Sequence, residues 1–292
     1  MPHNTPLHLT APGRARARTD PDHAVAAPAP PLRPFVSHYA GSRMRDVPQW
    51  EHTGLPSRYI DLIVSLARPI EIARMPGAQS PGAYRAFVAG LQQAPAFVRM
   101  GGDLDCLHVF LKPGAARALL RVSGREVASR VVHLADINGA MCNELMERIS
   151  GAHTWLERFA AVDRVLLRRL GPVTMPDAMA RAWRNLTITH GRLTVHELAR
   201  DIGFSRRHFG ERFMCEFGIA PKAAARVFRF ERACRLFLCS PRRIADVAAA
   251  SGFHDQAHMV REWHALAGCP PREWILGQLP FLQDYEIGGG HD

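Results

Sequence analysis

The chain has 292 residues, 47% of them hydrophobic, with 37 Lys/Arg against 27 Asp/Glu and a formal net charge of +10. That length predicts two domains, the apolar fraction is enough to fill real cores, and the basic balance favours an anionic partner. There is no run of 18 apolar residues and no charged-then-apolar leader, so the expectation is a soluble, cytoplasmic protein without a membrane partner.

Residues 1 to about 31, with Arg14, Arg16, Arg18 and a Pro/Ala tract ending APAPP, read as a disordered tail. Residues 32 to 171 open with β-rich runs separated by Pro/Gly turns: YIDLIVSL (59–66), IEIA (70–73), AFVAGL (86–91) and CLHVFLK (106–112). This pattern predicts a small barrel or sandwich. A helical stretch after Pro113-Gly114 and two amphipathic helices, about 136–150 and 153–170, follow before a boundary at Gly171-Pro172.

Polar residues among these strands are the candidate pocket of a sensor. Arg58 and Asp61 flank a strand start, and Cys106 and His108 alternate, so they share one strand face. Two such ligands are too few for a metal, and neither a His-x-His cluster nor HExxH occurs, so no metal and no cofactor is expected. The six cysteines, at 106, 142, 215, 234, 239 and 269, have no CxxC spacing, and several fall on apolar helix faces, as buried thiols in a reducing compartment do.

A short pattern near residue 200 returns near residue 250. Val195, Leu198, Ala199, Gly203 and Phe204 recur 49 residues later as Ile244, Val247, Ala248, Gly252 and Phe253. After one inserted residue, Phe209, Phe213, Gly218 and Pro221 recur at an offset of 50 as Met259, Trp263, Gly268 and Pro271. Each copy predicts helix, glycine turn, helix. Thr194 and Glu197 have capping-box spacing, and residues 195, 198, 199 and 202 form one apolar face. Gly203 suits a left-handed stop, and Ser205 suits an N-cap. With Phe209 and Phe213 inward, Arg206, Arg207, Gly210 and Glu211 are left outward at the end a helix-turn-helix presents to base edges. In the second copy Asp255 takes the cap position, Met259 and Trp263 point inward, and Gln256, Ala257, Val260 and Arg261 stay outward. Gln and Arg suit paired contacts with adenine and guanine.

Between the copies, Pro221 to about Phe237 carries an apolar stripe at Ala223, Val227, Phe230, Cys234 and Phe237, which predicts one amphipathic helix. Lys222, Arg226, Arg229, Arg232 and Arg235 occupy its other sides, as a solvated face or as phosphate contacts.

From about Pro176 to Gln278 the chain resembles the C-terminal DNA-binding domain of AraC/XylS-type bacterial transcription regulators. The resemblance rests on LTVHELARDIGFSRRHFGERF, GIAPKAAARVFRFERACRLF and IADVAAASGFHDQAHMVREWHALAGCPPREW. It implies two helix-turn-helix units, about 194–213 and 243–263, joined by a long helix, with base-reading positions at Ser205, Arg207 and Glu211, and at Gln256, Ala257 and Arg261. Arg206 joins these as a DNA-binding candidate by its outward place. Trp263 stands where a smaller aromatic is usual, Gly210 interrupts the first recognition helix, and Glu211 is acidic where a basic or polar reader is frequent. A more diffuse likeness, resting on LRPFVSHY, LPSRYIDLIVSL and LKPGAARALL, implies a degenerate cupin-like sensor or dimerisation domain ahead of it.

The expected fold is therefore α+β: a disordered tail (1–31), a β-rich plus helical domain (32–171), an all-α DNA-binding domain (176–280) and a C-terminal tail (281–292). The expected function is sequence-specific regulation of transcription. Its partners would be double-stranded promoter or operator DNA and RNA polymerase, with a small-molecule effector of unknown identity and a homodimer as further expectations.

Charge does not say which half meets DNA. There are 16 Lys/Arg against 10 Asp/Glu over 176–280 and 18 against 12 over 32–172, which is +6 in each. Enzyme signatures such as GxSxG, GxxxxGK[ST] and GxGxxG are absent, so no catalytic residue is expected. Two rivals stay open: a DNA-repair alkyltransferase with a reactive cysteine, and a ligand-binding or enzymatic cupin against which the helical part merely packs.

Overall fold

The computed structural model describes residues 18–19, 23–75, 77, 79–172, 175–239 and 242–277. The chain is α+β, a sheet with helices first and a helical part after. The strands are β1 (Arg18–Thr19), β2 (His23–Ala26), β3 (Val36–Gly54), β4 (Ile60–Ser65), β5 (Ile70–Arg74), β6 (Gly82–Tyr84), β7 (Ala86–Ala89), β8 (Ala96–Leu111) and β9 (Val131–His133). The helices are α1 (Gly124–Val127), α2 (Leu134–Ser150), α3 (Trp155–Arg169), α4 (Asp177–Thr189), α5 (Val195–Ile202), α6 (Arg206–Phe217), α7 (Pro221–Cys239), α8 (Ile244–Ser251), α9 (Gln256–Ala267) and α10 (Pro271–Gly277).

Two long bent strands organise the sheet. The first half of β3 pairs antiparallel with the second half of β8 (Tyr39 opposite Val109), and the second half with the first (His52 opposite Val98). The register breaks between Met44 and Trp50, where Asp46 has φ 51° and the facing Gly101 and Gly102 have φ 147° and 65°. Beyond this bend β8 changes neighbour, pairing with β4 through Cys106–Leu111 and with β5 through Phe97–Arg99. Neither β3 nor the first half of β8 is legible as a strand in the sequence, because the stretch after Gly41 is largely polar and half exposed. The other expected strands form where their apolar runs place them.

The tail expectation needs correction for its last residues. His23–Ala26 is a strand paired with Tyr39–Ser42 of β3, and Pro30–Leu32 is a 3-10 turn with Leu32 fully buried. An open edge of β3 and an apolar seat for Leu32 outweigh the local Pro/Ala composition. Residues 1–17 and the expected C-terminal tail lie outside the described residues.

One sheet face, with Tyr39, Ile60, Leu62, Val64, Val88, Leu107 and Val109, packs on Met141, Leu145 and Ile149 of α2 and Phe159, Val162 and Val165 of α3. Tyr39 also donates to Asp163 Oδ1 at 2.6 Å, and burial with that hydrogen bond pushes its phenol far above its ordinary range. This core does not stop at Gly171. It continues through Met179, Ala182 and Leu186 of α4 into Leu198, Ala199, Phe209, Phe213, Phe217 and Phe228, the interior of the first helix-turn-helix unit. The second unit has its own core, built from Val227, Phe230, Cys234, Val247, Ala248, Met259, Trp263 and Trp274.

Candidate nucleic-acid interface

The two helix pairs form as their repeated skeletons require. In the first, Glu197 N donates to Thr194 Oγ1 at 3.2 Å and Thr194 N donates to Glu197 Oε2 at 2.7 Å, so α5 begins with a capping box. Gly203 ends α5 and Gly252 ends α8, each at φ +80°, a left-handed value that side chains resist. The Ser205 hydroxyl then accepts from His208 N at 3.2 Å to start α6, and the Asp255 carboxylate accepts from His258 N at 2.6 Å to start α9. The extra residue of the second copy lies in this turn: residues 203–205 connect the first pair and 252–255 the second.

The inward stripes are buried as the spacing predicts. Phe209, Phe213, Met259 and Trp263 are all inaccessible to solvent. The Trp263 ring packs edge-on against Phe230, Phe237 and Trp274, and so fills the second core. The seven candidate contact residues, Ser205, Arg206, Arg207, Glu211, Gln256, Ala257 and Arg261, are all exposed. Gly210 and Val260 are half-buried, the two departures among the outward positions. Arg207 Nε and Glu211 Oε1 lie 2.9 Å apart, so Glu211 holds the guanidinium beside it. Gly210 sits within α6 with open space where a Cβ would be.

The joining helix α7 has 19 residues, which span about 28 Å at 1.5 Å per residue. Its expected stripe is buried, and its cations divide by their partners. Arg226 pairs with Glu262 of α9, Arg229 donates to the Gly191 carbonyl at 2.8 Å, and Arg232 donates to the Ala250 carbonyl at 2.9 Å. Arg192, just before α5, also donates to Ala250 at the end of α8. Arg229 is therefore a brace, half-buried at the turn that precedes the first unit, and is not free to meet phosphate. Lys222 stays exposed.

The sheet part docks on this frame without covering the outward faces. Arg117 donates to both oxygens of Glu216 at the end of α6, at 2.8 and 3.0 Å. Alongside, α1 meets the turn after α6 at backbone distance: a Cβ on Gly218, whose φ is +70°, would lie 2.3 Å from the Ala128 Cβ. Arg58 donates from its backbone N and its Nε to the two oxygens of Glu231 on α7, at 2.8 and 2.5 Å. Arg58 thus departs from the sensor pocket suggested for it. The sequence carried a faint signal of both carboxylates, since Glu216 falls three residues after Phe213 and Glu231 three residues after Phe228, each on an otherwise apolar helix face.

The other expected pocket residues do come together. Asp61, His108 and Cys106 share the sheet face opposite the α2–α3 core, with His108 Nε2 3.1 Å from Asp61 Oδ1 and Cys106 Sγ 3.9 Å from Ser65 Oγ. His38 and His108 both stack on Phe110 of that face, at ring separations of 4.1 and 3.9 Å. Burial pushes the Cys106 thiol up to about 11. Cysteines are free throughout, Cys234 being buried and Cys215 and Cys239 exposed. Among the described residues no three His, Cys, Asp or Glu side chains cluster as a metal site, and no helix is long and apolar enough to cross a membrane.

Residues 198–276 match a family model described as a helix-turn-helix domain, and residues 24–133 match a domain of unknown function, DUF6597. No curated protein matches the chain. Among solved structures the chain is similar to a lysine-to-alanine variant of apo ToxT from Vibrio cholerae strain SCE256, at 10% identity over 82% of this chain and 97% of that one, with a TM-score of 0.50. It is also similar to the DNA-binding domain of AdpA in complex with a target DNA, at 25% identity over 35% of this chain and 92% of that one, with a TM-score of 0.33. A third is the C-terminal domain of AraT, a response regulator from Geobacillus stearothermophilus, at 19% identity over 35% and 85% of the two chains, with a TM-score of 0.33. The likeness to ToxT is one of fold and takes in both the sheet and the helical part.

Proposed function

We propose that each copy of this AraC-type DNA-binding transcription regulator, a helix-turn-helix domain behind a DUF6597 domain, lays α6 and α9 in successive major grooves of one DNA site. One observation carries this reading. Both helices expose their N-terminal polar residues while arginines of α7 and Arg192 tie the turn before the first unit to α7 and to α8 and α9 of the second. Ser205, Arg206, Arg207 and Glu211 then face one segment of DNA, and Gln256, Ala257 and Arg261 face another. Because these two sets differ, the preferred site is asymmetric.

The DNA-binding part spans about 176–280, and the sheet part, about 32–171, modulates it. The polar face around Asp61, His108 and Cys106 supports a small-molecule effector there, a homodimer is the alternative route of control, and RNA polymerase is the downstream partner in a cytoplasmic setting. The reading is of a protein without catalysis or cofactor. An alkyl-accepting cysteine needs a stabilised thiolate, and the high value at Cys106 counts against it.

Selecting bound duplexes from a random-sequence pool with the purified full chain tests this. Enrichment of an asymmetric site with two read segments about one helical turn apart is the expected result. Enrichment of no sequence, or of a single segment per chain, contradicts the proposal.

A further inference from the structure

The first turns of α5 and α7 and the first residue of α6 enclose an open groove of about 420 Å³, lined in part by Thr194, His196, Arg206, Ala220 and Lys222. Arg206 and Lys222 carry permanent charge and are exposed, and His196 is exposed beside them. The nearby carboxylate, Glu197, is already engaged by Thr194 N and Thr194 Oγ1, at 2.7 and 2.8 Å. Glu197 keeps its charge there, so Arg206 and Lys222 stand against one carboxylate at an otherwise uncharged groove, and Arg206 makes it continuous with the exposed face of α6.

Three observations distinguish it from an ordinary solvated patch. Of the five α7 cations, Arg226, Arg229 and Arg232 are tied to protein acceptors and Arg235 is half-buried, whereas Lys222 is exposed at the groove. Ala220, the residue before α7, offers no side-chain oxygen to the amides of the first turn, where an anion is favoured. The internal repeat keeps the α7 half of this feature, though not Arg206. Pro221-Lys222 recurs as Pro271-Arg272, with the proline buried and the cation exposed in both copies, although Arg206 and Arg207 give way to Gln256 and Ala257.

We propose that this groove seats backbone phosphates of the bound DNA, so that Arg206 and Lys222 supply sequence-neutral affinity and anchor the first unit. The proposal rests on the DNA-binding reading above and divides its labour. Arg206, a DNA-binding candidate by its outward place, takes the role of a phosphate contact. Sequence discrimination then falls on Arg207 in the first unit and on Gln256 and Arg261 in the second.

The test uses the full chain and the variants Arg206→Gln, Lys222→Gln and the double variant, with equal unfolding midpoints as the check that these exposed changes leave the fold intact. Affinity is measured on the preferred duplex and on a scrambled duplex of equal length, from about 50 to about 200 mM salt. Each single variant should weaken both duplexes by the same factor and make the slope of log affinity against log salt shallower by about 0.9, with roughly twice that in the double variant. A loss confined to the preferred duplex, or an unchanged salt slope, overturns the phosphate seat. Wild-type protein that binds neither duplex overturns the DNA-binding reading itself, whereas wild-type binding with unaffected variants overturns the seat alone.

Discussion

Arg58, ahead of β4, closes on Glu231 in the middle of α7 with both its backbone amide and its side chain, although 173 residues separate them. Both are buried, and the Arg58 guanidinium also lies 4.7 Å from the centre of the Phe228 ring. A sheet residue thereby grips the helix that sets the geometry between the two recognition helices, which gives the sheet part a direct mechanical hold on the DNA-binding frame.

Removing one member of a buried ion pair leaves the other charge uncompensated. Glu231→Gln or Arg58→Ala should therefore cost about 3–5 kcal/mol, and a double change to apolar residues of similar size should recover much of it. Denaturant unfolding of the two single variants and the double variant measures this. Strictly additive losses would show that the two side chains do not interact in solution.

Arg261 stands exposed on α9 and Arg207 on α6. Arg261→Ala should cost about 1–3 kcal/mol on the preferred site and relax the preference at particular base pairs. Titration against single-base variants of the site is the measurement, and an equal loss on random DNA would remove Arg261 from the readers.

Gly210 lies within α6 with no neighbour where a Cβ would be placed. Since glycine inside a helix is about 0.5–1 kcal/mol worse than alanine, Gly210→Ala should raise the unfolding midpoint. A lowered midpoint would mean that the space is filled or the helix distorted.

His52, on the second half of β3, is held at about 4, by burial first and by nearby His108 second, below its ordinary 6.5. Between those two pH values the unfolded chain binds the proton that the folded chain refuses, so stability should fall as pH drops through that window and be flat above it. His52→Gln should flatten part of this fall in unfolding midpoint against pH. An unchanged profile would assign the acid sensitivity to other groups.

The helix-turn-helix units were legible in the residues because their information is local. Apolar residues three and four apart, a capping box at Thr194 and Glu197, and glycines at 203 and 252 fix each helix and its end within about 20 residues, whatever surrounds them. The repeat made the same point twice. The strands were legible only where an apolar run was continuous, as in β4, whereas the second half of β3 has polar residues whose pairing is set by β8 across the sheet. His23–Ala26 reads as part of a disordered tail for the same reason, since its stabilising partner is the edge of β3.

What the sequence by itself determined is two folded helix pairs with different polar faces on a joining helix. What only the tertiary structure decided is which charges are free to meet a partner. Arg229 and Arg232 are indistinguishable from Lys222 by spacing on α7, yet carbonyls at Gly191 and Ala250 occupy the first two. Arg58 reads as a pocket residue until Glu231 arrives from 173 residues away, and nothing near Arg117 in the chain announces Glu216, 99 residues on. The physical reason is common to all four: a side chain's partner in an ion pair or hydrogen bond is chosen by packing, and long-range packing leaves no periodic trace in the chain.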